Sequence, residues 1–281
     1  MAHWGMVVNI AKCIGCYACF IACKDEYWGN AFPPYSAAQE RHGKYWVNLV
    51  KRERGVFPYV RVAFMPLLCL QCDDAPCVKA AKGGAVYKRN DGVVIIDPEK
   101  AAGQKKIVDS CPWGVIGWNE EKSLAQKCTF CIHRVEEGKA PRCAQVCPDH
   151  CLTFGDFDDP NSDVSKLLKS AKCEAYHPEY DASAKPRVVY MDVHKITRNF
   201  IAGAVVLGDV NECAEGATVT LSSNGNTAET KANTYGNFEF DGLAHGKYSV
   251  SIGYKGYQPQ KATVELKDAS HYMGDIVLLK T

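Results

Sequence analysis

The chain has 281 residues, 47% of them hydrophobic and 23% charged, with a formal net charge of +1 at neutral pH. That composition fits a soluble globular protein with room for one large domain or two smaller ones. The near-zero charge argues against a nucleic-acid partner, which calls for a clear basic excess. No apolar run approaches the roughly 18 residues that span a bilayer, and the start of the sequence carries no charged segment followed by an apolar one, so no signal peptide is expected.

In chain order, Met6-Val7-Val8-Asn9-Ile10 reads as a strand running into a loop at Cys13. Lys44 to Val50 alternates loosely and reads as another strand, and Val93 to Asp97 as a third, ending before Pro98. From Asp163 to Lys172 the apolar residues Val164, Leu167, Leu168 and Ala171 keep a helical period behind a Ser162 cap. Composition changes near residue 197. Before it the chain is cysteine-rich; after it only Cys213 remains, and Gly, Asn, Thr and Val dominate. Thr218–Ser222, Phe238–Phe240 and Tyr248–Ile252 alternate, with turn signals at Asn224-Gly225, Gly242 and Gly246, which predicts a small sandwich of about seven strands.

Cysteine is the outlier, with 15 residues, of which twelve fall between Cys13 and Cys147 in groups that contain C-x-x-C pairs. Such pairs hold two sulfurs close for a shared metal centre, whereas disulfide frameworks space their cysteines more widely. Metal requires reduced thiols and therefore a reducing or anaerobic setting. The first group, Cys13-x2-Cys16-x2-Cys19-x3-Cys23, has the bacterial ferredoxin spacing, in which three cysteines hold one [4Fe–4S] cluster and the fourth reaches to another. Lys24 stands where that run usually has proline. The last group, Cys128-x2-Cys131-x11-Cys143-x3-Cys147-Pro148, keeps the terminal Cys-Pro around a longer loop. By the crossing rule Cys13, Cys16 and Cys19 join Cys147, while Cys128, Cys131 and Cys143 join Cys23.

The middle decides the number of clusters. Cys69-x2-Cys72-x4-Cys77 supplies three ligands, and Ala81 stands where a fourth would fall. Counting back from Cys111-Pro112 places Ala101, Gln104 and Ile107 at the other expected positions. Under the crossing rule these four losses belong to a single cluster, and Cys69, Cys72, Cys77 and Cys111 form another complete set. Twelve cysteines thus make three sets of four. Zinc ribbons also use C-x-x-C pairs, but zinc explains neither the ferredoxin-type run nor the two Cys-Pro ends.

Cys151, Cys173 and Cys213 are left over and read as buried or tolerated thiols, with Cys151 also open to a reading as a spare ligand. Asp149 and His150 read as loop residues. Lys12 and Lys127 each precede the first cysteine of a group. Each is either a cation that raises a cluster's potential or a solvated loop lysine. Trp4, Trp28, Trp46, Trp113 and Trp118 are expected to pack the core or a subunit interface.

The four-group arrangement resembles the four-cluster iron–sulfur subunits of the molybdopterin oxidoreductases related to dimethyl sulfoxide reductase. The missing cluster and β-rich tail are similar to the branch of pyrogallol–phloroglucinol transhydroxylase and resorcinol hydroxylase small subunits. Segments carrying that likeness are Lys51-Arg52-Glu53-Arg54-Gly55, Gly92 to Lys100, Trp118-Asn119-Glu120-Glu121, Ala125 to Thr129 and Gly236 to Leu243. The resemblance implies an α+β fold: a pseudo-symmetric double ferredoxin-like [4Fe–4S] domain over residues 1–196, then an all-β immunoglobulin-like or carboxypeptidase-regulatory-like sandwich over 197–281.

It also implies a non-catalytic electron-transfer subunit with three clusters. A large partner would hold molybdenum or tungsten on molybdopterin and act on a hydroxylated aromatic ring. The location implied is cytoplasmic, with export alongside a signal-bearing partner left open. The alternatives are the electron-transfer subunit of another molybdopterin reductase, acting on a sulfur or arsenic oxyanion, and a free-standing ferredoxin-like carrier. This chain has no catalytic triad, phosphate loop or paired-carboxylate motif.

Overall fold

The expected strand before the first cysteine group forms as β1 (Trp4–Asn9), and its four central residues are all buried. The computed structural model describes residues 2–174 and 182–281. The chain divides into two units, one of Met1–Val50 with Phe64–Val193 and the other of Lys51–Ala63 with His194–Thr281. Composition marks the boundary near residue 197; the assignment of residues 51–63 to the second unit has no sign in composition.

In the first unit, β1 leads through a 3-10 turn (Ile10–Lys12) to Cys13, and α1 (Ala18–Tyr27) follows. The buried residues of α1 are Cys19, Cys23 and Tyr27, spaced four apart and so on one face. Next come the long strands β2 (Val47–Val56) and β3 (Tyr59–Leu68), which pair as a hairpin whose residues 51–63 belong to the second unit. Short elements then alternate with the cysteine loops: α2 (Pro76–Ala80), β4 (Val86–Lys88), β5 (Val94–Ile96), α3 (Lys106–Asp109), β6 (Gly117–Asn119) and β7 (Leu124–Gln126). All residues of β5 and β7 are buried. After α4 (Ile132–Val135) and α5 (Arg142–Gln145), β8 (Leu152–Asp156) returns antiparallel to β1.

The predicted helix forms as α6 (Asp163–Ser170), and the Ser162 side chain accepts from Ser165 N as expected of its cap. Strands β9 (Cys173–Glu174) and β10 (Val188–Met191) complete a sheet of order β8-β1-β10-β9, with β1 and β10 parallel. Among the described residues no helix is long and apolar enough to cross a membrane.

The second unit begins with α7 (His194–Thr197) and β11 (Asn199–Leu207). It continues through β12 (Glu212–Cys213), β13 (Thr218–Ser223), β14 (Asn226–Lys231), β15 (Asn237–Leu243), β16 (Gly246–Gly253), β17 (Gln260–Leu266) and β18 (His271–Leu278). The three alternating segments read from the sequence lie within β13, β15 and β16. Asn224 and Gly225 both take positive φ between β13 and β14, as a two-residue hairpin turn requires. One sheet has the order β14-β13-β16-β17; in the other, β11 pairs with β12, β15 and, in parallel, β18. Their inner faces share a core that includes Ile201, Val205, Val219, Phe238, Val250 and Leu278.

Strand β11 is buried almost throughout rather than on alternate residues. The tip of the β2–β3 hairpin supplies partners for its other face: Tyr59 packs edge-on against Phe200, with ring centroids 5.8 Å apart. Arg54 anchors the tip. Its guanidinium donates to both carboxylate oxygens of Asp241 at 2.5 and 3.1 Å and to the Arg198 carbonyl at 3.1 Å. Arg52 reaches the Ile196 carbonyl and Asn199 Oδ1, while Tyr59 and Arg61 donate to Glu239.

Burial works against the charge of Asp241, but the Arg54 bonds hold its carboxyl below the usual range. A depressed carboxyl stabilises the fold above its unfolded pKa, and that contribution disappears as pH falls through the folded value. Asp241→Asn, which leaves the buried Arg54 without its counter-charge, is expected to destabilise the chain by about 3 kcal/mol at pH 7. The deficit relative to the parent should shrink below about pH 4. Urea unfolding of both chains across pH 3–7 checks this.

Candidate metal centres

Three sets of four cysteines come together, all in the first unit. In the N-terminal set, the 3-10 turn closes with Cys13 N–H donating to the Ile10 carbonyl. Gly15 has φ of +70°, and a Cβ there would lie 2.6 Å from the Phe64 ring, so the tight loop accepts only glycine. Cys13, Cys16, Cys19 and Cys147 line one cavity. Cys16 is exposed and Cys13 half-buried, so this set lies at the surface. A hydrogen bond from Cys151 brings the Cys13 thiol down to about 7. Burial, together with the charges of Cys13, Cys147 and Cys16, pushes Cys19 up to about 12.

The middle set, Cys69, Cys72, Cys77 and Cys111, lines a second cavity with Val94, Trp113 and Ile116 among its walls. Pro76 opens α2 and places Cys77 in its first turn. Burial raises Cys72 to about 12 and Cys77 to about 11, against the opposing charge of Lys127 on Cys77.

The C-terminal set joins Cys23 of α1 to Cys128, Cys131 and Cys143, and all four are buried. Burial pushes Cys23 well up, followed by the charges of Cys128, Cys131 and Cys143. Cys131 takes positive φ ahead of α4, and Phe130 N–H donates to Cys128 Sγ at 3.3 Å. This set lies within electrostatic reach of both others: Cys143 feels Cys19, and Cys128 feels Cys69. The buried C-terminal set thus neighbours both others; in the middle set only Cys111 is partly exposed.

Cys147 thus lies with Cys13, Cys16 and Cys19, Cys111 with Cys69, Cys72 and Cys77, and Cys23 with Cys128, Cys131 and Cys143. In the N-terminal and middle sets the four sulfurs line a cavity, a donor arrangement suited to a multi-iron cluster. Burial holds most of the thiols protonated, so metal uptake must displace protons.

The positions that would make a fourth set are filled by protein. Ala101 and Ile107 are fully buried. Gln104 Oε1 accepts from Lys82 N at 2.9 Å, and its Nε2 donates to the carbonyls of Lys82 and Lys100. Ala81 closes α2, donating to the Cys77 carbonyl.

The two lysines diverge. Lys12 is exposed, a solvated loop residue, whereas Lys127 is buried and its ammonium donates to the carbonyls of Val94 and Cys128. Trp46 and Trp113 are buried, while Trp28 is 50% exposed. Cys151 is buried, Cys173 half-buried and Cys213 exposed, and Asp149 and His150 are exposed loop residues.

Sequence reasoning passed over Gln71, which is fully buried between two cysteine sets. Its amide donates to the Cys128 carbonyl and accepts from Val94 N, both at 2.8 Å. Its place inside Cys69-Leu70-Gln71-Cys72 was the available signal.

Ferredoxin-like cysteine sets in one unit and a β-sandwich in the other define a two-part iron–sulfur protein. Residues 60–157 match a 4Fe-4S dicluster domain, and residues 201–279 match a carboxypeptidase regulatory-like domain. The chain is 41% identical to the pyrogallol hydroxytransferase small subunit of Pelobacter acidigallici, over 99% of this chain and 100% of that one. It is 32% identical to the arsenate respiratory reductase iron-sulfur subunit of a Shewanella species, covering 66% of this chain and 95% of the relative. Identity is also 32% with one subunit of the sulfite dehydrogenase of Allochromatium vinosum, over 69% of this chain and 85% of the relative. The chain belongs to the family of iron–sulfur subunits of the molybdopterin oxidoreductases, with the pyrogallol hydroxytransferase small subunit among its relatives.

Gln71→Leu orphans the buried Val94 N–H and leaves the Cys128 carbonyl to Lys127 alone, and is expected to cost about 1–3 kcal/mol. Anaerobic urea unfolding of the cluster-loaded chain measures it, and unfolding like the parent's would show that the Gln71 bridge does not support the site.

Proposed function

We propose that this chain is the electron-transfer subunit of a heterodimeric molybdopterin enzyme that acts on hydroxylated aromatic rings, with three [4Fe–4S] clusters on its twelve cysteines. The ligand sets are Cys13, Cys16, Cys19 and Cys147; Cys23, Cys128, Cys131 and Cys143; and Cys69, Cys72, Cys77 and Cys111. The observation that carries this reading is the gathering of twelve cysteines into three sets of four, with the buried C-terminal set neighbouring both others. When bound, such clusters exchange single electrons at potentials set by charge, hydrogen bonds and solvent exposure.

The protein positions and tunes them. Helix α1 contributes Cys19 to one set and Cys23 to the next, so a single rigid element fixes the spacing between neighbours. Lys127 places a buried cation near Cys77 and Cys128, which favours the more reduced state at both. Phe130 N–H and the Trp113 side chain donate toward cluster-facing sulfurs.

The two Cys-Pro ends and their paired groups support a pseudo-symmetric double-ferredoxin arrangement over residues 1–196. Residues 197–281 then serve as a docking or stabilising sandwich. The pterin-bearing partner supplies the ring chemistry; its identity rests on the 41% likeness over the full chain. Ile14, Tyr17 and Ile21, exposed beside the N-terminal set, offer it an apolar contact at one end of the relay.

The test is metal analysis of the anaerobically purified native complex. About twelve irons per chain, with one molybdenum or tungsten and a second subunit, is the expected result. Iron without a second subunit would overturn the subunit reading, and zinc in its place would overturn the clusters. Cys111→Ala should lower iron to about eight per chain and remove one paramagnetic signal, leaving two unchanged. Three intact signals would refute the middle ligand set.

A further inference from the structure

The cavity of the N-terminal set is lined by five sulfurs, whereas a [4Fe–4S] cluster uses four cysteine ligands. The fifth belongs to Cys151, which is 3% exposed and directly precedes β8. Its Sγ lies 3.4 Å from Cys147 Sγ, and it also hydrogen-bonds the Cys13 side chain. The Cys151 N–H donates to Cys147 Sγ at 3.3 Å, and its carbonyl accepts from Asn9 N at 2.8 Å. That last bond ties Cys151 to the end of β1, so its thiol is held against the ligand sulfurs by the sheet.

Protonation decides the direction of the sulfur contacts. In the thiol form, either member of the Cys147–Cys151 pair can donate. Once iron has taken Cys13 and Cys147 as thiolates, both are acceptors only, and Cys151 holds the one S–H left in the contact. A donor to a ligand thiolate stabilises negative charge on it, and does so more strongly in the reduced, more negative cluster.

We propose that Cys151 is a hydrogen-bond donor to the ligand thiolates of the N-terminal cluster and raises that cluster's reduction potential, without itself binding iron. It is a positioning and tuning residue, and the inference rests on the reading that the N-terminal set holds a cluster. Iron content of the parent chain tests that reading separately, before any variant is made.

The experiment is a redox titration followed by electron paramagnetic resonance on the full cluster-loaded chain. Parent, Cys151→Ala, Cys151→Val and Cys151→Ser are compared, and the N-terminal signal is identified as the one that Cys16→Ala abolishes. The alanine and valine variants remove the donor, with valine filling the space. At fixed potential their ratio of reduced to oxidised N-terminal cluster should fall about tenfold, equal to about 59 mV for a one-electron couple. Cys151→Ser keeps an O–H donor and should retain most of the parent ratio. The other two signals and the iron content should not change. An unaltered N-terminal potential in both donor-free variants would overturn the proposal, as would a shift shared equally by all three clusters. Loss of about four irons in both would also overturn it, since Cys151 would then be a ligand.

Discussion

The architecture of the first unit depends on placing thiol sulfurs where water does not reach. A buried thiolate is costly, and in the C-terminal set four of them face one another with desolvation and mutual repulsion both favouring the proton. Only a metal centre offsets such a concentration of charge. The rest of the unit follows from that need. Short helices present Cys19 and Cys23, Cys77 and Cys143, glycine and positive-φ residues turn the chain tightly between sulfurs, and backbone N–H groups point inward. Regular structure is brief because the ligand loops set the path of the chain.

Much of this was legible in the sequence because ligand spacing is a local property. Cys13-x2-Cys16-x2-Cys19-x3-Cys23 specifies a loop entering a helix, and three plus one is written into it. The Ser162 cap and the Asn224-Gly225 turn were readable for the same reason, since each depends on a few consecutive residues. What could not be read depends on distant partners. Arg54 and Asp241 are 187 positions apart, and nothing near either marks the other. Gln71 resembles any polar residue in a cysteine loop until its two backbone partners are known. Lys12 and Lys127 look alike in sequence, each before a first cysteine, yet one is solvated and the other buried. Burial is a tertiary property, and identical local contexts do not fix it.

The four positions that lack cysteine in the middle groups show how such a space is filled by other side chains. Deleting four sulfurs from a cluster-sized space would leave a void, and voids in a core are destabilising. Here Ile107 and Ala101 are buried at two of those positions, and Gln104 ties the Lys82 backbone to that of Lys100. The three hydrogen bonds of that one side chain link the Lys82 and Lys100 backbones across this part of the unit.

The hairpin tip has a consequence for the order in which the chain is made. Residues 51–63 leave the ribosome early, yet their partners Ile196, Asn199, Glu239 and Asp241 follow 144 to 187 residues later, an interval set by the hydrogen-bonded pairs themselves. For most of translation Arg54 and Tyr59 have no sandwich to receive them, and Phe57 stays 92% exposed even in the finished fold. Elements made well after it, α7, β11 and β15, therefore complete a segment made early in the chain. A chain released before Asp241 is made would lack the acid that Arg54 requires, and the same bond that secures the tip also distinguishes finished chains from truncated ones.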